Sequence, residues 1–403
     1  VDLFRLGHPE LRALREDAPV HRDERTGLWL VSRHRDVRAV LADPAAFHPD
    51  NALTAITPIP RPLLRVLARA GFSLPPTLAN NGTATHAGLR RLVARFLTPA
   101  RVAALEPRIA ELAAERLDRI TGPTADLHPA LARDLPALVL LEVLGIRDVD
   151  VAALKDWSTA SLELFWGEPD PARQRGLVAS AAAFHQWLTA RISAADPAGD
   201  DLFGALRAHG VPLRDAAGLC YFLLIAGQET TTQLLCAVFD AVLRHDLWPR
   251  AAEPGMAARC VEEVLRRHPP VTTWRRVAAR PATLSGVDVP AGAHLLLMLA
   301  GAGSDPEVFT DPESFCPARS DARKHLAFGH GRHFCLGAGL ARLEAEVVLR
   351  ETARRFPALR LASAQSPPML GLLSFRAPLS VPVVLDGRGT AGQRRIIDAV
   401  GAS

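Results

Sequence analysis

Lysine is nearly absent from this 403-residue chain: among 47 lysines and arginines, only Lys155 and Lys324 are lysines. No block of five or six like charges occurs and the formal net charge is +4. That disfavours a nucleic-acid-binding tail and leaves most arginines on a solvated surface. Cysteine is scarce and odd in number, five in all: Cys220, Cys236, Cys260, Cys316 and Cys335. No two form a CxxC pair, which disfavours a zinc ribbon, an iron–sulfur motif and a disulfide framework. At least one thiol is therefore free. Long apolar runs are missing as well. The longest, Leu219 to Ala226, falls far short of the ~20 residues that cross a bilayer. The opening segment VDLFRLGHPELRALRED is charged and amphipathic where a signal peptide carries an apolar core. The expectation is a cytoplasmic protein with neither a membrane nor a nucleic acid as partner.

The remaining composition, 48% hydrophobic and 22% charged, is that of a globular protein. A length of ~400 residues by itself suggests two or three domains. No internal repeat and no Gly/Ser hinge divides the chain, so the reading is a single domain, 1–403. The pattern predicts a mainly α fold with small β-sheets (α+β). Its helical core covers about 86–267 and 338–356, with β-rich parts about 27–50, 271–300 and 358–386. Residues 51–84, rich in proline and aliphatics and poor in charge, read as a long irregular loop with a short helix, of the kind that usually carries function. Residues 301–335 read as a long ordered coil.

One cysteine stands apart. Cys335 lies in FGHGRHFCLGAGLAR (328–342), immediately before an amphipathic helix. A sulfur there meets unpaired N–H groups and the positive end of the helix dipole, with Arg332 and His333 close by. All of these favour a lowered pKa and metal ligation. The surrounding glycines let the backbone wrap under something flat and large. A Gly-rich turn around a buried cysteine fits the spacing alone equally well. The full string resembles the haem-binding loop of bacterial cytochrome P-450 enzymes, F-G-x-G-x-H-x-C-x-G-x-x-L-A-R. It matches at Phe328, Gly329, Gly331, His333, Cys335, Gly337, Leu340, Ala341 and Arg342. The resemblance implies the cytochrome P-450 fold, one large helical haem domain with a smaller β-rich region. It also implies haem b with Cys335 as the iron's thiolate ligand, His333 as a propionate contact and Phe328 packed near the sulfur.

Other segments carry the same resemblance in the expected order. Residues 213–245 read as one long helix with AGQETTT (226–232) in its middle, poor helix material that needs a reason. By resemblance, Ala226, Gly227, Glu229 and Thr230 are the oxygen-activation segment. Gly227 lets the helix bulge, Thr230 hydrogen-bonds dioxygen or its water, and Glu229 helps relay protons. Thr231 and Thr232 read as helix packing. Glu263 and Arg266 match the family's E-x-x-R, and Arg319 the arginine that completes a charged network under the haem loop. The neighbouring Glu262 is expected to face solvent. His86 and Arg90 match the H-x-x-x-R propionate helix, although Gly82-Thr83-Ala84 replaces the family's D-P-P before it. Arg276 matches a propionate arginine, with Arg275 as competitor. The other four cysteines read as core or coil residues.

By analogy with the family, the substrate pocket draws on Ile56, Leu78, Asn81 and Thr83 from the loop, Phe165 and Trp166, Phe222 and Leu223 on the long helix, then Val271, Thr273, Trp274, Leu373 and Phe375. That lining suits a bulky hydrophobic or aromatic small molecule. An aromatic or tryptophan-containing cyclic peptide is the substrate guess. Oxygen insertion and oxidative coupling use the same equipment. A peroxide-driven peroxygenase and a non-catalytic haem-binding sensor are the alternatives, and Glu229-Thr230 argues against both. Electrons are expected from ferredoxin and ferredoxin reductase, docking where Arg91, Arg95, Arg323, Lys324 and Arg332 gather. O2 is the co-substrate and the protein is expected to be a monomer.

Overall fold

The computed structural model describes residues 2–385; the last residue of the 358–386 segment lies outside them. The chain opens with helix α1 (His8–Asp17), followed by strands β1 (Val20–Arg22), β2 (Trp29–Val31) and β3 (Phe47–His48). The 51–84 loop holds one short helix, Arg61–Arg69, as the sequence suggests. Helix α2 (His86–Ala94) then leads into a helical region. Its members α3 (Val151–Trp166) and α4 (Pro171–Ala194) start where Asp150 and Asp170 accept hydrogen bonds from the first-turn amides, as good N-caps do.

The expected long helix over 213–245 is two helices, α5 (Leu213–Ala226) and α6 (Glu229–Arg244). The break falls on Gly227 and Gln228. Taken as one stretch, Leu213–Arg244 is long and apolar enough to cross a membrane, yet 72% of its most apolar window is buried inside the protein. Helix α7 (Met256–Arg267) starts after Gly255, whose φ is +71°, and stops at His268 before the paired prolines. Strands β4 (Trp274–Ala278) and β5 (His294–Leu297) follow. The 301–335 coil contains only short helical turns, and α8 (Ala338–Arg355) is the last helix.

The five strands form one sheet in the order β1-β2-β5-β4-β3. The β2–β5 pair is parallel, with Leu30 opposite Leu296, and the others are antiparallel. A three-stranded sheet joins Thr124–Asp126, Pro382–Val384 and Arg360–Leu361. The largest apolar core joins the 51–84 loop and the helical segments from α2 onward to α3–α8, and two smaller cores lie against the sheet. The α5–α6 break is thereby held inside the helical mass, facing the loop that precedes α8.

Candidate active site

A large cavity separates the α5–α6 break from the Cys335 loop. It encloses about 1620 Å³ of atom-free space including its open mouth. One wall is Ala226, Gly227, Thr230 and Thr231; the other is Phe328, Gly329, His333, Cys335, Leu336 and Gly337.

The break is sterically crowded. A Cβ on Gly227 would come within 2.8 Å of the Leu140 side chain and 3.0 Å of the Leu223 carbonyl, so a larger residue there would force Leu140 to move. The Thr230 hydroxyl donates to the Ala226 carbonyl at 2.7 Å across the break. Glu229 is buried rather than water-facing, and its Oε1 lies 2.6 Å from Lys155 Nζ on α3. Lys155 also donates to Thr232 Oγ1 at 3.2 Å, and that hydroxyl donates to the Ala132 carbonyl. Thr232 therefore does more than pack. Gln228 Nε2 donates to Ser158 Oγ at 2.7 Å, so α3 and the break are joined by a polar seam. Lys155 and Glu344 are residues the sequence reading passed over. The available signal for Lys155 was a rare lysine beside apolar Leu154. Glu344, on α8, is fully buried with no partner for Oε1. Burial pushes its carboxyl up to about 8, only partly offset by Lys155.

Across the cavity, Cys335 N–H donates to the Phe328 carbonyl at 2.9 Å. A Cβ on Gly337 would lie 3.9 Å from the sulfur. Gly331 has φ +69°, and a Cβ there would press on the Leu41 carbonyl at 3.1 Å, so the turn requires glycine on two counts. The thiol pKa departs from expectation. Burial pushes it up, and the Gly337 and Ala338 amides with Arg90 and Arg342 pull it down without reversing the shift. The expected lowering by the helix N-terminus, Arg332 and His333 left burial out; a cation on the sulfur is what makes such a thiol a thiolate.

The flanking cations converge on the same space. Arg90 donates to the Phe334 carbonyl at 2.7 Å. His86 Nδ1 accepts from Arg332 Nε at 3.2 Å, leaving its buried Nε2 without a partner. His333 Nε2 lies 2.9 Å from the Asn81 carbonyl, leaving Nδ1 without one. Burial and nearby arginines hold both rings down to about 4, the Asn81 carbonyl opposing this at His333. The competition between the two strand arginines is resolved by the alternation of β4. Arg276 lines the cavity, buried, with its Nε unpartnered. Arg275 donates instead to the Thr54 and Ala52 carbonyls at 2.7 and 3.0 Å. Burial lowers each to about 10. Arg332 is also committed inward, to the Gly82 and Thr83 carbonyls, so it does not belong to a free basic surface.

Behind the loop, Glu263 accepts from Arg266 through both oxygens at 2.8 Å, from Arg319 Nε at 3.0 Å and from the Cys316 amide at 2.7 Å. Glu262 is not solvent-facing. It is buried and paired with Arg342 and His325, because α7 is covered by α8 on one side and by the coil on the other.

Of the expected pocket residues, Leu78, Trp166, Phe222, Leu223, Val271, Trp274 and Phe375 line the cavity. Trp166 stacks on Trp274 at 6.5 Å and meets Phe375 edge-on at 5.2 Å. The remainder lie elsewhere. Asn81 and Thr83 are consumed by hydrogen bonds within their own loop. Thr273 donates to the Leu373 carbonyl. Phe165 faces Phe72 and Tyr221, and Ile56 and Leu373 belong to the core beside α1. Leu97, Leu140 and Leu162 line the cavity without having been expected; periodicity marks them only as core. Cys220, Cys236 and Cys260 are buried on helices and Cys316 lies in the coil, as read.

A family model described as cytochrome P-450 matches residues 255–376. Erythromycin C-12 hydroxylase of Saccharopolyspora erythraea is 36% identical over 359 residues, 86% of each chain. Cyclomarin C epoxidase CymV of Salinispora arenicola is 34% identical, covering 87% of this chain and 88% of its own. Among solved structures, cytochrome P-450 CREJ in complex with (4-ethylphenyl) dihydrogen phosphate superposes with a TM-score of 0.91 at 30% identity. That match covers 96% of this chain and 98% of the other.

Proposed function

The chain belongs to the cytochrome P-450 family, and on that premise we propose that Cys335 is the thiolate ligand of its haem b. The enzyme is a monooxygenase of natural-product biosynthesis, an oxidoreductase of class EC 1.14. The residues around the cavity fit haem. Cys335 opens onto a glycine-flanked floor, and the buried, unpartnered Arg276 Nε and His86 Nε2 are donors awaiting carboxylates, which the propionates provide. Bound there, haem supplies the iron at which dioxygen is activated, and the thiolate's electron push favours O–O cleavage. Arg90 holds the Phe334 carbonyl beside the ligand, and His333, whose Nε2–H goes to the Asn81 carbonyl, would donate to a propionate through Nδ1 only on taking up a second proton. Phe328, Gly329 and Gly337 shape the floor.

On the opposite wall, Gly227 and Ala226 open the helix, and Thr230 Oγ1 stands ready to turn from the Ala226 carbonyl toward the cavity. Glu229 holds the proton-relay position, secured by Lys155. Glu263, Arg266 and Arg319 brace the coil behind the loop.

The observation that carries the substrate reading is the stack of Trp166, Trp274 and Phe375 over the cavity, joined by Phe222, Leu223, Leu78 and Val271. It favours a bulky hydrophobic or aromatic molecule, such as a tryptophan-containing cyclic peptide. Relatives named hydroxylase, epoxidase and N-oxygenase support oxygen transfer ahead of oxidative coupling. Electrons come from ferredoxin and its reductase, docking at Arg91, Arg95, Arg323 and Lys324. The protein works as a cytoplasmic monomer built as one domain.

The test is spectroscopic. The reduced, CO-bound holoenzyme is expected to show the long-wavelength Soret band of thiolate-ligated haem, and Cys335→Ala to lose it. Persistence of that band in Cys335→Ala overturns the assignment. Aromatic cyclic peptides are expected to shift the ferric spin state, and Trp166→Ala to weaken that response at least tenfold.

A further inference from the structure

Glu262 and Glu263 are adjacent on α7 and both buried, yet they hold different things. Glu263 binds the coil. The Glu262 carboxylate instead accepts from Arg342 on α8 and lies 3.3 Å from Nε2 of His325 at the start of the Cys335 loop. The tautomer of His325 follows from its other nitrogen: Nδ1 accepts the Ala327 amide at 3.2 Å, so Nε2 carries the proton, close to Glu262 but without an aligned hydrogen bond to it. One carboxylate thus grips the segment before the loop and the helix after it. Burial pushes the Glu262 carboxyl up, but His325 and Arg342 overcome this and hold it at about 2. It is an anion at every working pH.

Arg342 leads from this carboxylate toward the sulfur. Its guanidinium lies 4.6 Å from the centroid of the Phe328 ring, a cation–π distance. The Phe328 carbonyl takes the Cys335 amide hydrogen bond. Phe328 is further flanked by His325 at 5.9 Å and Phe334 at 6.3 Å. Arg342, against the Phe328 ring, and Arg90, on the Phe334 carbonyl, are side-chain charges held beside the Cys335 loop. Arg90 has no carboxylate partner among the described residues; Arg342 has Glu262. In a partly dry region a charge this close acts with little screening. Whether Arg342 is compensated therefore alters the field at the sulfur.

We propose that Glu262, acting through Arg342, is a positioning residue for the Cys335 ligand: it fixes the guanidinium against Phe328 and cancels part of its charge, and so sets the reduction potential of the bound haem. The inference rests on Cys335 being the haem ligand. Metal sites are commonly tuned by groups one shell beyond the ligands, and here the tuning carboxylate does not itself line the cavity, although Leu265 of the same helix does.

The experiment is potentiometric titration of substrate-free holoenzyme, with the CO-bound spectrum recorded for every variant. The parent's long-wavelength Soret band checks the ligand assignment separately. Reducing the haem adds negative charge, which an uncompensated Arg342 favours. Glu262→Gln is therefore expected to move the potential to more positive values and Arg342→Gln to more negative values. The double variant should return close to the parent. Glu262→Asp and Arg342→Lys keep both charges and should stay close to the parent even where the neutral variants retain little haem. Shifts of one sign in both Gln variants, no shift, or equal shifts in the charge-conserving variants would reduce Glu262 to a structural clamp and overturn the proposal.

Discussion

Lys155 shows how much one residue decides. Its ammonium and the Glu229 carboxylate are each under a tenth exposed and 2.6 Å apart. Breaking such a pair by removing one partner leaves a buried charge uncompensated, at a cost of about 3–5 kcal/mol, unless the survivor changes protonation. Lys155→Met is therefore expected to lower the melting temperature, and Lys155→Met/Glu229→Gln, which removes the stranded charge as well, to recover much of the loss. An equal loss in the single and the double variant would show that Lys155 matters for packing alone. Glu229 was legible in the sequence through its motif; its partner was not. A lysine 74 residues upstream acquires a role only when α3 packs across the α5–α6 break.

At the scale of elements, the break itself and helix α1 are instructive. Threonines and a glycine in AGQETTT announce a weak helix, but periodicity continues through them, which is why one helix was expected. The two helices part at Gly227 and Gln228, where Leu140 of another helix packs so close that a side chain on Gly227 would meet it. Helix α1 is fastened by His8, whose Nδ1 accepts from Arg267 at 2.8 Å and whose Nε2 lies 3.3 Å from His268 Nδ1. Burial, then Arg267, Arg376 and Arg266, lower the His8 pKa from 6.5 to about 3. The unfolded chain therefore binds a proton that the folded one refuses. Stability from this contact is complete above pH 6.5 and falls as pH drops toward about 3. Denaturant midpoints should decline over that window in the parent and decline less steeply in His8→Phe. Equal slopes would place the acid sensitivity elsewhere.

For the whole molecule, the basic excess has a geometry that composition hides. From Asn51 to Leu105 there is not one Asp or Glu, while seven arginines occur, at 61, 65, 69, 90, 91, 95 and 101. Arg91 and Arg95 stand exposed on and just after α2, the helix whose Arg90 reaches the Cys335 loop. The proposed acidic ferredoxin, approaching that side, would be steered by long-range attraction. Its reduction rate should fall severalfold between low and physiological salt, where the screening length shortens to ~8 Å. Arg91→Glu/Arg95→Glu should lower the rate and flatten its salt dependence, and unchanged rates at both salt concentrations would move the docking face. Sequence alone made the mainly helical architecture legible, together with the proposed haem loop around Cys335, the proposed oxygen-activation segment and the Glu263, Arg266 and Arg319 set. Each is written in residues near one another or in a fixed order along the chain. Tertiary structure alone decided that Arg276 rather than Arg275 faces the cavity and that Glu262 is buried on Arg342. It also decided that Asn81 and Thr83 serve their loop instead of a ligand. Those outcomes depend on which face of an element another element covers, and burial by a distant segment leaves no local mark in the sequence.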